Sequence, residues 1–137
     1  MRAIIEKALE ARKNSYCPYS GFAVGAALET CDGRIYTGCN IENAAYTPTN
    51  CAERTAFFKA VSEGAREFKA IAIAGGKGEI TDYCPPCGVC RQVMAEFVTK
   101  DFQIILAKSA EDYKVYTFAE LMPESFGAGN LADDSNK

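Results

Sequence analysis

Apolar and polar positions follow two different periods along the chain. In residues 2–14, apolar side chains recur at helical spacing between charged ones, which predicts an amphipathic helix. The runs "FAVGAALET" and "IYTGCNIE" are typical of strands, and the Asp-Gly pair of "CDGR" lies between them. Residues 22–43 are therefore predicted to form an antiparallel hairpin with a two-residue turn.

Strands and helices alternate through the rest of the chain. A helix is predicted over 51–63, with Asn50 as its cap, and a second one over 87–99. Strand-like runs are "FKAIAIAGG", "FQIILAK" and "YKVYTFA", and Thr117 with Glu120 fits the capping box of a short last helix. This order predicts an α/β fold: one three-layer domain whose mixed sheet of about five strands carries helices on its faces.

The length of 137 residues matches a single domain covering 1–137, in which we expect 128–137 to be a flexible polar tail. We find no apolar run of membrane-spanning length and no secretory signal, so the expected location is the cytoplasm, where cysteines stay reduced. A net charge of −3 argues against a nucleic-acid partner.

The chain contains no histidine. This excludes a Ser-His-Asp triad, a Cys-His nucleophile pair and a His-Glu-x-x-His zinc site. Any zinc must be held by cysteine or carboxylate, and any general acid or base must be Glu, Asp, Lys, Tyr or Cys.

Cys87 and Cys90 form a Cys-x-x-Cys pair at a predicted helix start, directly after Pro86. Such a pair is typical of half a zinc site, of a redox dithiol or of buried cysteines, since a helix N-terminus favours thiolates. Cys51 lies at another predicted helix start, and three thiolates from two such starts would leave a fourth zinc position for water.

Glu53 follows Cys51 by two residues, within reach of such a water, although a glutamate in a first helical turn often only complements the helix dipole. The joint pattern is more specific: Cys-x-Glu followed 36 residues later by Pro-Cys-x-x-Cys is typical of zinc-dependent deaminases of nucleobases.

The chain closely resembles the small homotetrameric cytidine deaminases, through "YCPYSGFAVGAAL", "GCNIENAAY", "NCAERTA", "PCGVCRQV" and "LMPESF". The resemblance covers nearly the whole chain. It implies hydrolytic deamination of cytidine and deoxycytidine in pyrimidine salvage, with one zinc per chain held by Cys51, Cys87 and Cys90. Glu53 would then carry every proton transfer.

The resemblance also implies roles for further residues. Arg54 would hydrogen-bond the ligand sulfurs, against the alternative of an ordinary surface arginine, and Gln92 would lie just behind them. The nucleoside contacts would come from Phe22, Asn40, Glu42 and the backbone around Ala52. Phe126 would enter the site of a neighbouring subunit, against the alternative of a core aromatic in its own chain.

Two alternatives stay open at this point. Cys84 could complete a closed, structural four-cysteine site in a non-enzymatic zinc or thiol module. We instead expect that Cys84 does not bind the metal, because Pro85 and Pro86 keep the backbone next to it extended. Another small zinc deaminase acting on a nucleoside antibiotic is the second alternative.

We expect Cys17, Cys31 and Cys39 to be packing residues.

Overall fold

The computed structural model describes residues 1–132 and places five strands and five α-helices in that part of the chain. The strands are β1 (Phe22–Thr30), β2 (Ile35–Cys39), β3 (Phe68–Lys77), β4 (Gln103–Ala107) and β5 (Tyr113–Thr117). The helices are α1 (Arg2–Ala11), α2 (Ala52–Ser62), α3 (Gly88–Phe97), α4 (Phe118–Leu121) and α5 (Ala128–Leu131). The elements expected from the hydrophobic pattern are all confirmed.

The strands form one mixed sheet in the order β2-β1-β3-β4-β5. Among the five strands of residues 1–132, β3 and β4 form the one parallel pair, and the segment that joins them contains α3. A parallel pair needs such a crossover, because a tight turn reverses the chain direction. The mixed α/β sheet expected from the sequence is therefore confirmed.

Helices cover both faces of the sheet, which gives the three expected layers. On one face, Ile4, Ile5 and Ala8 of α1 pack on small side chains of β1 and β3. On the other face, Phe57 of α2 and Met94 of α3 are fully buried against the remaining core side chains of the sheet. Because α2 and α3 lie on the same face, their N-termini can meet at one edge.

The hairpin between β1 and β2 has a longer turn than expected. The amide of Thr30 donates to the Arg34 carbonyl at 2.9 Å, and the amide of Gly33 donates to the Thr30 carbonyl at 3.0 Å. Gly33 has φ 91°, a left-handed conformation that glycine adopts without steric cost. The hairpin is confirmed, but the two-residue turn was wrong: the loop has three residues, 31–33, which is the next most common type.

Helix α2 has a different cap from the one expected. Cys51, in an extended conformation, is the N-cap, so the prediction for Asn50 was wrong. The Asn50 side chain instead donates to the Thr55 hydroxyl (Nδ2–Oγ1 3.2 Å), and that hydroxyl donates to the Cys51 carbonyl at 3.1 Å. The expected capping box of Thr117 and Glu120 on α4 is confirmed.

The C-terminal segment is only partly covered by the structure. Ala128–Leu131 forms one short helix, α5, where we expected the start of a loose tail. Residues 133–137 lie outside the described residues, so a flexible tail stays a prediction for them. Within residues 1–132, no helix has both the length and the apolar character needed to cross a membrane.

Candidate metal centre and cleft

Three cysteine sulfurs converge where α2 and α3 begin. Cys51 is the N-cap of α2, Cys87 is the N-cap of α3, and Cys90 lies in the first turn of α3. The Sγ atoms of Cys51 and Cys87 are 3.7 Å apart, those of Cys87 and Cys90 are 3.5 Å apart, and all three lie within 4.8 Å of one another. The structure therefore brings together the three cysteines predicted as ligands.

The spacing of these sulfurs fits a zinc ion. Zinc–thiolate bonds of about 2.3 Å in a tetrahedron place neighbouring sulfurs about 3.8 Å apart. The two measured distances are close to that value. Thiolates are soft ligands that favour zinc over magnesium or calcium. Three ligands also leave one tetrahedral position open.

Arg54 stabilises negative charge on the sulfurs. Its Nη2 donates to the Cys51 Sγ at 3.3 Å from the first turn of the same helix. The Cys90 thiol and the Arg54 guanidinium, both hydrogen-bonded to Cys51, lower the pKa of Cys51 to about 5. The pKa of Cys90 is raised, chiefly because it shares a hydrogen bond with the Cys51 thiolate.

Glu53 is a buried carboxyl next to this cluster. It is only 4% exposed, and it lines the same cleft as Cys51 and Cys87. Burial raises the pKa of Glu53 to about 7, because the charged form loses hydration. A carboxyl with a pKa near neutrality is suited to both accepting and donating a proton.

Cys84 lies beside the centre but outside the three-sulfur cluster. It lines the cleft together with Pro85, and it packs against the hydrophobic core. Burial raises the pKa of the Cys84 thiol to about 11, so it stays protonated at neutral pH. Because only Cys51, Cys87 and Cys90 of the described residues bring their sulfurs together, the geometry favours an open site of three cysteines.

A cleft of about 270 Å³ opens from the metal centre towards the start of β1. Phe22, Asn40, Glu42 and Ala52 all line it, as the sequence predicts. Ser20, Val24, Thr49 and Asn50 also line it, and the sequence analysis missed these four. Their types are common in turns and strands, so no local pattern distinguishes them.

Glu42 is fixed by the turn that precedes β1. Its Oε1 accepts from the amides of Tyr19 at 3.0 Å and Ser20 at 3.1 Å, and its Oε2 accepts from the Ser20 hydroxyl. These hydrogen bonds, led by that of the Ser20 side chain, hold the pKa of Glu42 below its usual value. Glu42 therefore presents a charged carboxylate to the cleft.

Asn40 ties the end of β2 to the start of β1. Its Nδ2 donates to the Phe22 carbonyl at 2.7 Å, and its Oδ1 accepts from the Val24 amide at 2.9 Å and from the Ser15 hydroxyl. The side chain is nearly buried. Asn40 thus fixes the backbone that carries Phe22, a role that its position alone did not indicate.

Phe126 and Gln92 lie away from the cleft lining of their own chain. Phe126 is 58% exposed, so it is not a core aromatic of its own subunit. The Gln92 side chain donates to the Phe126 carbonyl (Nε2–O 2.9 Å). The structure therefore places Gln92 beneath the segment that carries Phe126.

A family model supports the chemistry that the geometry suggests. Residues 1–106 match the model described as the cytidine and deoxycytidylate deaminase zinc-binding region. Among curated proteins, the cytidine deaminase of Sporosarcina psychrophila is 50% identical over 130 residues, covering 94% of this chain and 93% of that protein. The cytidine deaminase of Halalkalibacterium halodurans is 48% identical and covers 95% of this chain and 96% of that protein.

Solved structures agree with this similarity. A crystal structure of cytidine deaminase from Burkholderia pseudomallei superimposes with a TM-score of 0.84 at 47% identity, covering 90% of this chain and 97% of that one. A crystal structure of cytidine deaminase from Mycobacterium tuberculosis gives a TM-score of 0.78 at 36% identity, covering 91% of this chain and 95% of that one.

Proposed function

This chain belongs to the cytidine and deoxycytidylate deaminase family, and on that premise we propose which of its residues perform the reaction. The protein is a zinc-dependent hydrolase that deaminates cytidine to uridine with release of ammonia. The observation that carries our assignment is the placement of three clustered cysteine sulfurs and one buried glutamate in a single cleft. Deoxycytidine is proposed as a second substrate.

Cys51, Cys87 and Cys90 are proposed to hold the zinc. When bound there, zinc supplies Lewis acidity, which lowers the pKa of water from about 16 towards about 7. Three thiolates carry one more negative charge than the ion neutralises, and this would weaken that effect. Arg54 offsets part of the charge through its hydrogen bond to Cys51, and the two helix N-termini contribute in the same direction.

Glu53 is proposed as the proton carrier. Its carboxylate takes a proton from the attacking water and delivers it to N3 of the pyrimidine, which makes C4 electrophilic. It then takes the proton of the new C4 hydroxyl and passes it to the departing amine, so that the C4–N bond breaks, the C4 carbonyl forms and ammonia leaves. Its burial and its pKa near neutrality support this double role, because one group must be competent as both base and acid.

Four residues are proposed to bind the nucleoside. Phe22 packs on the pyrimidine, the backbone around Ala52 reads the ring edge, and Asn40 and Glu42 hydrogen-bond the ribose hydroxyls. The charged carboxylate of Glu42 would repel a phosphate group close to the sugar. The preferred substrate is therefore a free nucleoside rather than a nucleotide or a polynucleotide.

The protein is proposed to act as a homotetramer with shared active sites. Phe126 would complete the cleft of a neighbouring subunit, and its exposure in its own chain supports this. Tyr16, Tyr19, Tyr46 and Phe58 are also about half exposed or more. Tyr19 and Tyr46 line the same recess, and adjoining exposed aromatic side chains are typical of a surface that another subunit covers. Gln92 would position the Phe126 segment from below.

We place the enzyme in pyrimidine salvage in the cytoplasm, where a zinc site made of thiolates stays reduced. The test of the function is direct: purified, zinc-loaded protein should convert cytidine, with loss of ultraviolet absorbance and release of ammonia. A zinc protein without this turnover would be the non-enzymatic module, and turnover of a nucleoside antibiotic alone would favour the other deaminase type.

A further inference from the structure

Ser20 connects the two residues that we propose to hold opposite ends of the nucleoside. Its hydroxyl donates to Glu42 Oε2 and accepts from the amide of Phe22 at 2.9 Å. A serine hydroxyl has a single proton to donate. Because the Phe22 amide occupies an acceptor position of this hydroxyl, the proton is left to point at Glu42.

The hydrogen bonds around Glu42 leave one acceptor position of its carboxylate unoccupied. An ionised carboxylate offers about four acceptor positions on its two oxygens. Tyr19 and Ser20 amides occupy both positions on Oε1, and the Ser20 hydroxyl occupies one on Oε2. One position on Oε2 therefore remains, and the Ser20 hydroxyl, by occupying the other, determines which of the two it is.

The position of this pair in the surface supports a role in binding. Ser20 and Glu42 line the cleft that contains Cys51 and Glu53, and they also line a neighbouring recess of about 380 Å³ formed with Tyr19 and Tyr46. Together with Thr49, the pair therefore forms the wall between the two cavities. A carboxylate in such a wall could swing towards either side unless it is held.

We propose that Ser20 is a positioning residue for substrate specificity: it holds the carboxylate of Glu42 so that the free acceptor position of Oε2 receives a ribose hydroxyl. Ser20 itself does not touch the reacting atoms. The inference rests on the proposed function, because it assigns a partner to the proposed ribose contact.

The test compares two substrates that differ only in the ribose. Ser20→Ala should raise the KM for cytidine by about two- to tenfold, the usual effect of losing one hydrogen bond, with kcat changed by less than about twofold. For 2′,3′-dideoxycytidine, which lacks both hydroxyls, Ser20→Ala should lower kcat/KM clearly less than for cytidine, because only the hydrogen bond to the Phe22 amide is then lost. Ser20→Thr, which keeps the hydroxyl, should restore the KM for cytidine.

Two controls separate positioning from a structural effect. Ser62→Ala removes another exposed hydroxyl, which donates to the Lys59 carbonyl at 2.8 Å, and it should leave both substrates unaffected. In a Glu42→Gln background, Ser20→Ala should add little further loss, because residues that act through one another are not additive. Zinc content and circular dichroism establish that each variant is folded.

An equal loss with both substrates, an unchanged KM for cytidine, or full additivity with Glu42→Gln would each overturn the role of Ser20. Wild-type turnover of cytidine tests the proposed function separately. If the wild type is active and the ratio between substrates does not change, only the positioning role fails. If the wild type is inactive, the proposed function fails and this inference fails with it.

Discussion

Gly38 of β2 lies directly against Ala52 at the start of α2. A methyl group placed on Gly38 would be 2.5 Å from the Ala52 carbonyl oxygen and 2.5 Å from the Ala56 nitrogen. Real side chains essentially never approach backbone atoms this closely. The absence of a side chain at Gly38 therefore sets the depth at which the first turn of α2, and with it Cys51, rests on the sheet.

Gly38→Ala should consequently shift α2 outward and disturb the metal centre. We expect a loss of about 1–3 kcal/mol in the free energy of unfolding, the usual cost of overpacking, together with weaker zinc binding. Thermal unfolding and zinc titration measure the two effects. Gly129→Ala is the matched control, because a methyl group there meets nothing within 4 Å. Equal zinc affinity in the two variants would contradict the positioning of Cys51 by this contact.

Glu53→Gln should remove turnover while keeping zinc and nucleoside binding. The change deletes the proton carrier but no metal ligand, and general acid–base catalysis is usually worth about 10²–10⁴ in rate. Since one residue serves several transfers, we expect a loss at or beyond the upper end of that range. Steady-state kinetics, zinc content and equilibrium binding of cytidine measure the three properties. Glu63→Gln, at the exposed C-terminal end of α2, should behave as wild type. Near-normal turnover in Glu53→Gln would refute the assignment.

Cys84→Ser should retain one zinc per chain and most of the activity. Its sulfur lies outside the cluster of Cys51, Cys87 and Cys90, and its side chain packs against the hydrophobic core. Cys87→Ala, by contrast, should lose metal. The zinc content per chain, measured by atomic emission after dialysis, shows whether Cys84 is a ligand. Zinc loss in Cys84→Ser equal to that in Cys87→Ala would support the closed four-cysteine site instead.

Chelation of zinc should abolish turnover but leave the fold largely intact. The core is formed by fully buried side chains such as Phe57, Ile71 and Met94, which are not among the three cysteine ligands but pack in one hydrophobic cluster. Far-ultraviolet circular dichroism of the stripped protein should therefore stay close to that of the loaded protein, and added zinc should restore activity. Unfolding on chelation would instead mean that the metal holds the fold together.

Phe126→Ala should weaken cytidine affinity by about tenfold to a hundredfold if Phe126 completes a neighbour's cleft, because burying an aromatic contact contributes on the order of 1.5–3 kcal/mol. Each chain should keep its zinc. Mixed oligomers of Phe126→Ala and Glu53→Gln should then recover activity at low cytidine, since some clefts would combine Glu53 of one chain with Phe126 of the other. Activity no higher than the sum of the parents would place Phe126 within its own chain.

The metal centre could be predicted from the sequence because its signals are local. Cys87, Cys90 and Cys51 are at helix starts, which are marked by a preceding proline or polar residue, and the absence of histidine restricts the ligands further. The strand order depends on contacts between distant segments, and a single sequence does not record them.

The supporting contacts of the cleft were not predictable for the same reason. Ser20 and Ser15 are ordinary turn residues in the sequence, and their roles appear only when the fold brings Glu42 and Asn40 to them. Asparagine is a residue type common at helix N-caps, yet Cys51 takes that position in α2. The side-chain amide of Asn50 donates to the Thr55 hydroxyl instead. Here a tertiary contact overrides a local preference.

The separation of 36 positions between Cys51 and Cys87 has a consequence for how the site is assembled during synthesis. Cys51 leaves the ribosome first and meets no second sulfur of the site until the next strand and loop have followed. Cys87 and Cys90, by contrast, are neighbours even in an unfolded chain. A nascent polypeptide can therefore bind zinc only weakly, through the thiolates of Cys87 and Cys90. Strong binding requires β3 to join the sheet, which brings Cys51 to the other two sulfurs. Stopped-flow measurement of zinc capture during refolding should follow the slow, sheet-forming phase, so that metal acquisition serves as a checkpoint for completed folding.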